Sequence, residues 1–172
     1  MTEKQIRILD TALRLFAQEG FNVVSTARIA QEAEVSEGLI FRHFQNKAGL
    51  LEAIFGMGQA KVEEFVSEIL DEEDPRVRLE KAIAMPFSME PESFPFWRLQ
   101  FKMKWEVDRK VDYTESSRML AEQAYRELGV ENPAIEAELL LNAIEGITVA
   151  ILQDKLRDPE GTHRMMEKKF LP

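Results

Sequence analysis

Between Ser36 and Lys47 the chain gathers Ser36, Glu37, Gly38, Leu39, Arg42, His43 and Lys47. The set is rich in hydrogen-bonding groups and lacks any pairing that would activate a nucleophile. Arginine and lysine bring charge to phosphate, a neutral imidazole still carries one N–H donor, and a carboxylate accepts from the exocyclic amine of cytosine. Gly38 suits a place where backbone meets bases or sugar. Such a set grips or reads a polyanion. Enzymatic chemistry finds little elsewhere: His43 and His163 are far apart, no HExxH, GxSxG, P-loop or GxGxxG occurs, and cysteine is absent. No catalytic residue, metal site or cofactor is expected. The acidic run at 71–74 reads as a solvated helix end with Asp74 as the next helix's cap.

Short helices must hold this set, and the punctuation for them is present. Thr2 and Gln5 fit the Ser/Thr-x-x-Glu/Gln capping box, and Ile6, Leu9, Leu13 and Phe16 follow at helical spacing up to Gly20. Ser25 can cap a helix that turns Ile29, Ala30 and Ala33 inward. After a tight turn at Ala33-Glu34-Val35, Ser36 can cap a second, with Ile40 and Phe44 one turn apart. That predicts a helix-turn-helix whose outer side carries Gly38, Leu39, Arg42 and His43. Asn46 then opens a long helix with a stripe of Leu51, Ile54, Phe55, Val62, Phe65, Val66 and Ile69. Three helix N-termini therefore fall close together in sequence, at Ser25/Thr26, Ser36 and Asn46/Lys47. Each offers unpaired N–H groups and the positive end of a dipole to an anion. Arg28, Arg42 and Lys47 would add side-chain charge.

Charge patterning is compatible with this. The formal charge of the 172 residues is −9, but residues 1–50 hold six Lys/Arg against six Asp/Glu. The acidity lies wholly downstream, where it can stay away from phosphate. No apolar run approaches the ~20 residues of a membrane span. Charges throughout "MTEKQIRILDTALRLF" do not fit a secretory leader, so a cytoplasmic address is expected.

Residues 4–55, with "ILDTALRLFAQEGF" and "STARIAQEAEVSEGLIFRHFQNKAGLLEAI" at their spacing, resemble the N-terminal domain of the TetR family of bacterial transcriptional regulators. The resemblance implies an all-α fold: a three-helix helix-turn-helix DNA-binding domain (1–46) joined to a helical-bundle ligand-binding and dimerisation domain (47–172), with helix 4, about 47–71, as linker. It places DNA contacts at Ser25, Thr26, Ser36, Gly38, Leu39, Arg42, His43 and Lys47; the residues themselves add Arg28 and Glu37. Three positions depart from the family pattern. Glu34 replaces a common glycine, so a non-glycine is expected at positive φ at a cost of ~1 kcal/mol. Glu37 stands where lysine is frequent, and Phe41 where tyrosine is. Glu37 can accept from cytosine N4 while repelling phosphate.

The remainder punctuates itself with Asp74-Pro75, Asn132-Pro133 and Asp158-Pro159, an oxygen cap followed by proline at the first helical position. Residues 97–108, "WRLQFKMKWEVD", alternate apolar and polar like a strand. A lone strand would lack a partner in a helical chain, so a helix is expected, with Trp97, Phe101 and Trp105 on one side and Leu99, Met103 and Val107 on the other. By the resemblance, some of Met85, Phe87, Met89, Phe94, Trp97, Phe101, Met103, Trp105 and Tyr125 line a pocket for an apolar or aromatic ligand; the alternative is that they are simply core. "AELLLNAIEGITVAIL" is apolar nearly all round and needs cover on every side. A homodimer through about 134–156 is expected, with Leu140, Ile144, Gly146, Ile147 and Ile151 in the seam. The expected function is a ligand-responsive repressor bound as a dimer to a near-palindromic duplex DNA operator. The alternative is a small-molecule sensor or carrier of the same fold whose head contacts a protein.

Overall fold

The computed structural model describes the backbone of residues 1–106 and 113–172; the side chains of 59–66, 68, 70, 104–106, 113 and 114 are outside what it describes. Every regular element among the described residues is a helix, with no strand: α1 (Glu3–Glu19), α2 (Thr26–Glu32), α3 (Glu37–Phe44), α4 (Lys47–Leu70), α5 (Pro75–Ala84), α6 (Phe94–Glu106), α7 (Tyr113–Glu127), α8 (Pro133–Leu152) and α9 (Pro159–Phe170). Short 3₁₀ turns at Met85–Phe87 and Pro91–Ser93 lie between α5 and α6. No described helix is long and apolar enough to cross a membrane.

Most of the expected caps form. In α1 the Thr2 hydroxyl accepts from the Gln5 N–H and the Gln5 Oε1 accepts from the Thr2 N–H, a closed capping box. Ser25, Asp74 and Asp158 accept from the first turns of α2, α5 and α9. Asn46 Oδ1 accepts from Gly49 N at 2.8 Å. Ser36 and Asn132 stand at the cap positions but make no side-chain capping bond. Glu34 sits at φ 54°, the left-handed position expected of it.

The chain divides into two compact units, Met1–Val62 with Glu92–Asp108, and Glu63–Pro91 with Arg109–Pro172. This cut differs from the expected 1–46 and 47–172, because α6 packs its residues into the N-terminal core. Leu99 and Met103 are buried there with Ile8, Leu15, Phe16, Ile40, Leu50 and Ile54. The segment that alternated like a strand is thus a helix to Glu106, with Leu99 and Met103 of one stripe interior; the Trp105 side chain and Val107 lie outside the described residues. Two features have no local sequence signal. Gly58 of α4 lets the Phe96 ring approach so closely that a Cβ there would sit 1.8 Å from it. Lys102 donates to the Ala17 carbonyl at 2.5 Å, closing the C-terminal end of α1.

In the second unit α5, α7, α8 and α9 enclose Leu79, Ile83, Ala124, Tyr125, Leu140, Ile144, Met166 and Phe170. The Tyr125 hydroxyl donates to the Phe170 carbonyl at 2.9 Å. Burial, and after it the Glu136 carboxylate, push that phenol well up from its ordinary value.

Candidate nucleic-acid interface

Ile40 and Phe44 are the buried residues of α3 and set its inner side, against Ile29, Ala30 and Ala33. The outer side follows from that anchoring: Gly38, Phe41, Arg42 and His43 are exposed. Leu39, whose place on the helix fits inward packing and contact with a thymine methyl equally well, does not stand fully outward. It is half-buried and packs against the head core, because it lies next to Ile40 on the shoulder of a helix too short to separate its faces fully.

Two side-chain ties gather the helix starts. The Thr26 hydroxyl, on the first residue of α2, donates to Glu37 Oε1, on the first residue of α3, at 2.7 Å. Lys47, the first residue of α4, reaches back to the loop before α2, donating to the Phe21 and Val24 carbonyls at 2.8 and 3.0 Å. Its ammonium also lies 4.6 Å from the Phe21 ring centroid. The amino ends of α2, α3 and α4 are therefore brought together by side chains as well as by core packing. Gly49 is required at the α3–α4 junction, since a Cβ there would stand 2.0 Å from the Phe44 carbonyl oxygen.

These ties revise the expected charge supply. Lys47 satisfies backbone carbonyls of its own fold, so its ammonium is engaged within the head, where sequence spacing alone had left it free for phosphate. Arg28 bonds Glu19 at 2.5 Å and Glu32 at 3.2 Å, while Arg14 bonds the same Glu32 at 2.6 Å. The network draws Arg28 up through Glu19 first and then Glu32, and holds the Glu32 carboxyl down chiefly through Arg14. Arg42, by contrast, makes no hydrogen bond or ion pair among the described residues. The Ser36 hydroxyl is likewise unused by the helix it precedes. Ser25 is occupied by its cap, accepting from Arg28 N at 3.2 Å. His43 meets Gln5, whose Nε2 lies 3.2 Å from its Nδ1. Gln5 was legible in the sequence only as half of a capping box, and its second contact spans thirty-eight residues.

The expected pocket residues fall in different units. Met85, Phe87, Met89 and Tyr125 belong to the second, Phe94, Trp97, Phe101 and Met103 to the first, and the Trp105 side chain is outside the described residues. Met103 is core beside α1 and Tyr125 is core beside α9. Phe87 stacks on His163 with ring centroids 4.7 Å apart. Of the expected seam residues, Leu140 and Ile144 are buried within their own unit. Ile147 and Ile151 are half-buried, and Gly146 faces open space. The open side of α8 instead carries Ile135 and Leu139, 58% and 52% exposed.

Comparison with known proteins adds to this geometry. A family model described as bacterial regulatory proteins, tetR family, matches residues 8–54. YvkB of Bacillus subtilis (strain 168), an uncharacterized HTH-type transcriptional regulator, is 50% identical over 48 residues, covering 28% of this chain and 25% of YvkB. YuxN of the same organism, of the same description, is 29% identical over 143 residues, covering 83% of this chain and 46% of YuxN. The chain spans between a quarter and a half of the length of these curated relatives. Among solved structures, NalD, the secondary repressor of the MexAB-OprM multidrug efflux pump in Pseudomonas aeruginosa, superposes with a TM-score of 0.75 at 21% identity, covering 98% of this chain and 93% of that one. At that identity the likeness shows the fold.

Proposed function

We propose, on the match of residues 8–54 to the model of the tetR family of bacterial regulatory proteins, that this chain is a DNA-binding transcriptional repressor of that family. It acts as a homodimer on a near-palindromic operator and is released by a small apolar or aromatic ligand. The observation that carries this reading is the gathering of the α2, α3 and α4 amino ends by the Thr26–Glu37 bond and the Lys47 reach to Phe21 and Val24. Beside them Ser36, Gly38, Arg42 and His43 stand at the outer side of α3. Helix N-termini supply partial positive charge that a residue tally does not count, which reconciles phosphate binding with a chain of formal charge −9.

In this reading α3 enters the major groove, Arg42 and His43 hold phosphates, and Glu37 reads a base edge. Two subunits pair across the open side of α8, through Ile135, Leu139 and Gly146 with Ile147 and Ile151 at its flanks. They set two heads on half-sites about one helical turn apart. Ligand binding favours a separation of the heads that no longer matches adjacent grooves, and it does so only through its differential affinity for the two states. Met85, Phe87 and Met89 are the candidates for contact with that ligand inside the second unit.

The test is fluorescence anisotropy with the duplex lying upstream of the protein's own coding region, at low and moderate salt. Saturable binding that unrelated duplex displaces poorly is the expected result. Equal displacement by any duplex, or no binding at low salt, overturns the reading. One observation favours a second reading, a sensor whose head meets a protein: Arg14, Arg28 and Lys47, half of the six cations of residues 1–50, are tied internally. The same titration separates the two.

A further inference from the structure

We propose that Gln5 is a positioning residue for DNA recognition: it fixes the neutral His43 ring with its proton on Nε2, so that α3 offers a donor at its C-terminal end. The inference rests on the reading that α3 faces DNA, and it deepens that reading.

The argument is one of donors and acceptors. A backbone N–H can only donate, so the Gln5 oxygen, 2.7 Å from the Thr2 nitrogen, must be the acceptor there. The orientation of the Gln5 amide is thereby set, and the atom 3.2 Å from His43 Nδ1 is its NH₂ group. An amide nitrogen has no lone pair to offer, so Nδ1 must accept, and in the neutral ring the proton is then on Nε2. The reciprocal bond, from the Gln5 N–H to the Thr2 hydroxyl at 3.3 Å, pins the same side chain from its base. His43 itself is exposed, and its ring edge meets Phe44, with centroids 6.2 Å apart. A phosphate oxygen only accepts, so an Nε2–H tautomer is the form that can bond it without taking up a proton. One glutamine thus starts α1 and sets the polarity of a residue on α3, which couples the cap of the first helix to the outer face of the third.

The experiment uses the full chain. Long-range ¹H–¹⁵N correlation of the imidazole nitrogens in the free protein, at about pH 8.5 and so roughly two units above the ordinary histidine value, reports the tautomer. The expected pattern for wild type is Nε2–H; a dominant Nδ1–H form overturns the proposal. The variant Gln5→Glu keeps the capping box, because glutamate serves there as well as glutamine. It now faces His43 with an acceptor, so the proton moves to Nδ1. At that pH operator affinity should fall about ten-fold, the scale of one charge-assisted hydrogen bond. Added negative charge alone would act without the ring, so Gln5→Glu in a His43→Ala background should cost less than about two-fold. Equal losses in both backgrounds overturn the positioning role even if the protein binds its operator well. A wild-type protein that binds no duplex, with Nε2–H in place, instead removes the DNA reading on which the role depends.

Discussion

In α3 two buried residues four apart, Ile40 and Phe44, leave an outer side of Gly38, Arg42 and His43. In α8 the buried positions Ala137, Leu140, Ile144, Thr148 and Leu152 follow just as regularly, yet the outer side carries Ile135 and Leu139. Both helices present a face that their own unit does not cover, and the faces differ in kind. The α3 face is made of donors and bare backbone, which suit a wet, charged partner. The α8 face carries Ile135, Leu139 and Gly146 beside the exposed Glu138 and Asn142, a mixed apolar and polar surface that suits close approach of a second protein surface. The interior of α8 also tolerates a polar residue, because the Thr148 hydroxyl donates back to the Ile144 carbonyl at 2.7 Å. The inside of each helix is set by packing within its unit; the outside states what it is prepared to meet.

The adjacent leucines of α8 give the largest expected effect. Leu140 is fully buried, so Leu140→Ala should destabilise the protein by about 3 kcal/mol in urea unfolding, a transfer loss plus a cavity. Leu139→Ala, on the open side, should change monomer stability by less than about 0.5 kcal/mol. Leu139→Arg should instead lower the apparent mass in light scattering, as a paired face loses its cover, with unfolding of the separated subunit little altered. A variant that stays dimeric with arginine at 139 breaks the assignment of this face.

Two cations of the head come next. Lys47→Met removes an ammonium from the Phe21 and Val24 carbonyls and leaves them short of a partner, which should cost about 1–3 kcal/mol in thermal unfolding. Arg42→Ala touches no internal partner and should leave stability within about 0.5 kcal/mol. On DNA the ranking reverses: Arg42→Ala should reduce the dependence of log affinity on log salt by about 0.9 for each phosphate that the arginine neutralises. Lys47→Met should weaken binding without moving that slope. Equal slopes for the two variants would place Lys47 back at the phosphates and dissolve the distinction.

This pair also marks what the sequence could disclose. Caps and turn of the helix-turn-helix are local, with partners within five residues, its core positions follow from helical spacing, and the left-handed Glu34 was legible through the resemblance, as the residue that replaces a common glycine. Lys47 could not be read the same way. Its acceptors lie twenty-three and twenty-six residues upstream, and no spacing rule encodes them. The packing of α6 onto α1, through Leu99, Met103 and Lys102, is non-local in the same sense. For α8 the difficulty is different. A segment apolar on all sides carries no internal mark of which side faces its own unit, so Leu140 and Ile144 were expected in a seam that their burial assigns to the core. Hydrophobic periodicity reports faces only when one of them is polar.

Tyr125 supplies a smaller test inside the second unit. Its phenol is held above its ordinary value, so the folded state keeps the proton more firmly than the unfolded chain does. The associated stability is present in full below the unfolded value of about 10 and is lost as pH rises beyond it. Tyr125→Phe removes the bond to the Phe170 carbonyl and should cost about 1–2 kcal/mol at neutral pH. It should also flatten the alkaline decline in stability above about pH 10. A wild-type protein whose stability is level from about pH 9 to about pH 11 in denaturant titrations would contradict the assignment of burial as the dominant cause.

The smallest effect lies at the turn between α2 and α3, where Glu34 holds φ 54°. A side chain in that region costs about 1 kcal/mol relative to glycine, and the exposed glutamate makes no side-chain bond among the described residues that would offset it. Glu34→Gly relieves that strain but frees the unfolded chain, which returns about 0.4–1 kcal/mol to the other side. The net gain should therefore be small, about 0.5 kcal/mol or less, read as a rise of a few degrees at most in Tm. The turn's backbone bonds, from the Glu34 N–H to Gln31 and from the Val35 N–H to Ala30, need no side chain and should survive. So should the angle between α2 and α3, which Ile29, Ala30 and Ile40 set. Operator affinity is then expected to change by less than about two-fold, beyond what removing one negative charge contributes at low salt. A marked loss of affinity would mean that the Glu34 side chain, and not only its backbone, takes part in orienting the outer face of α3.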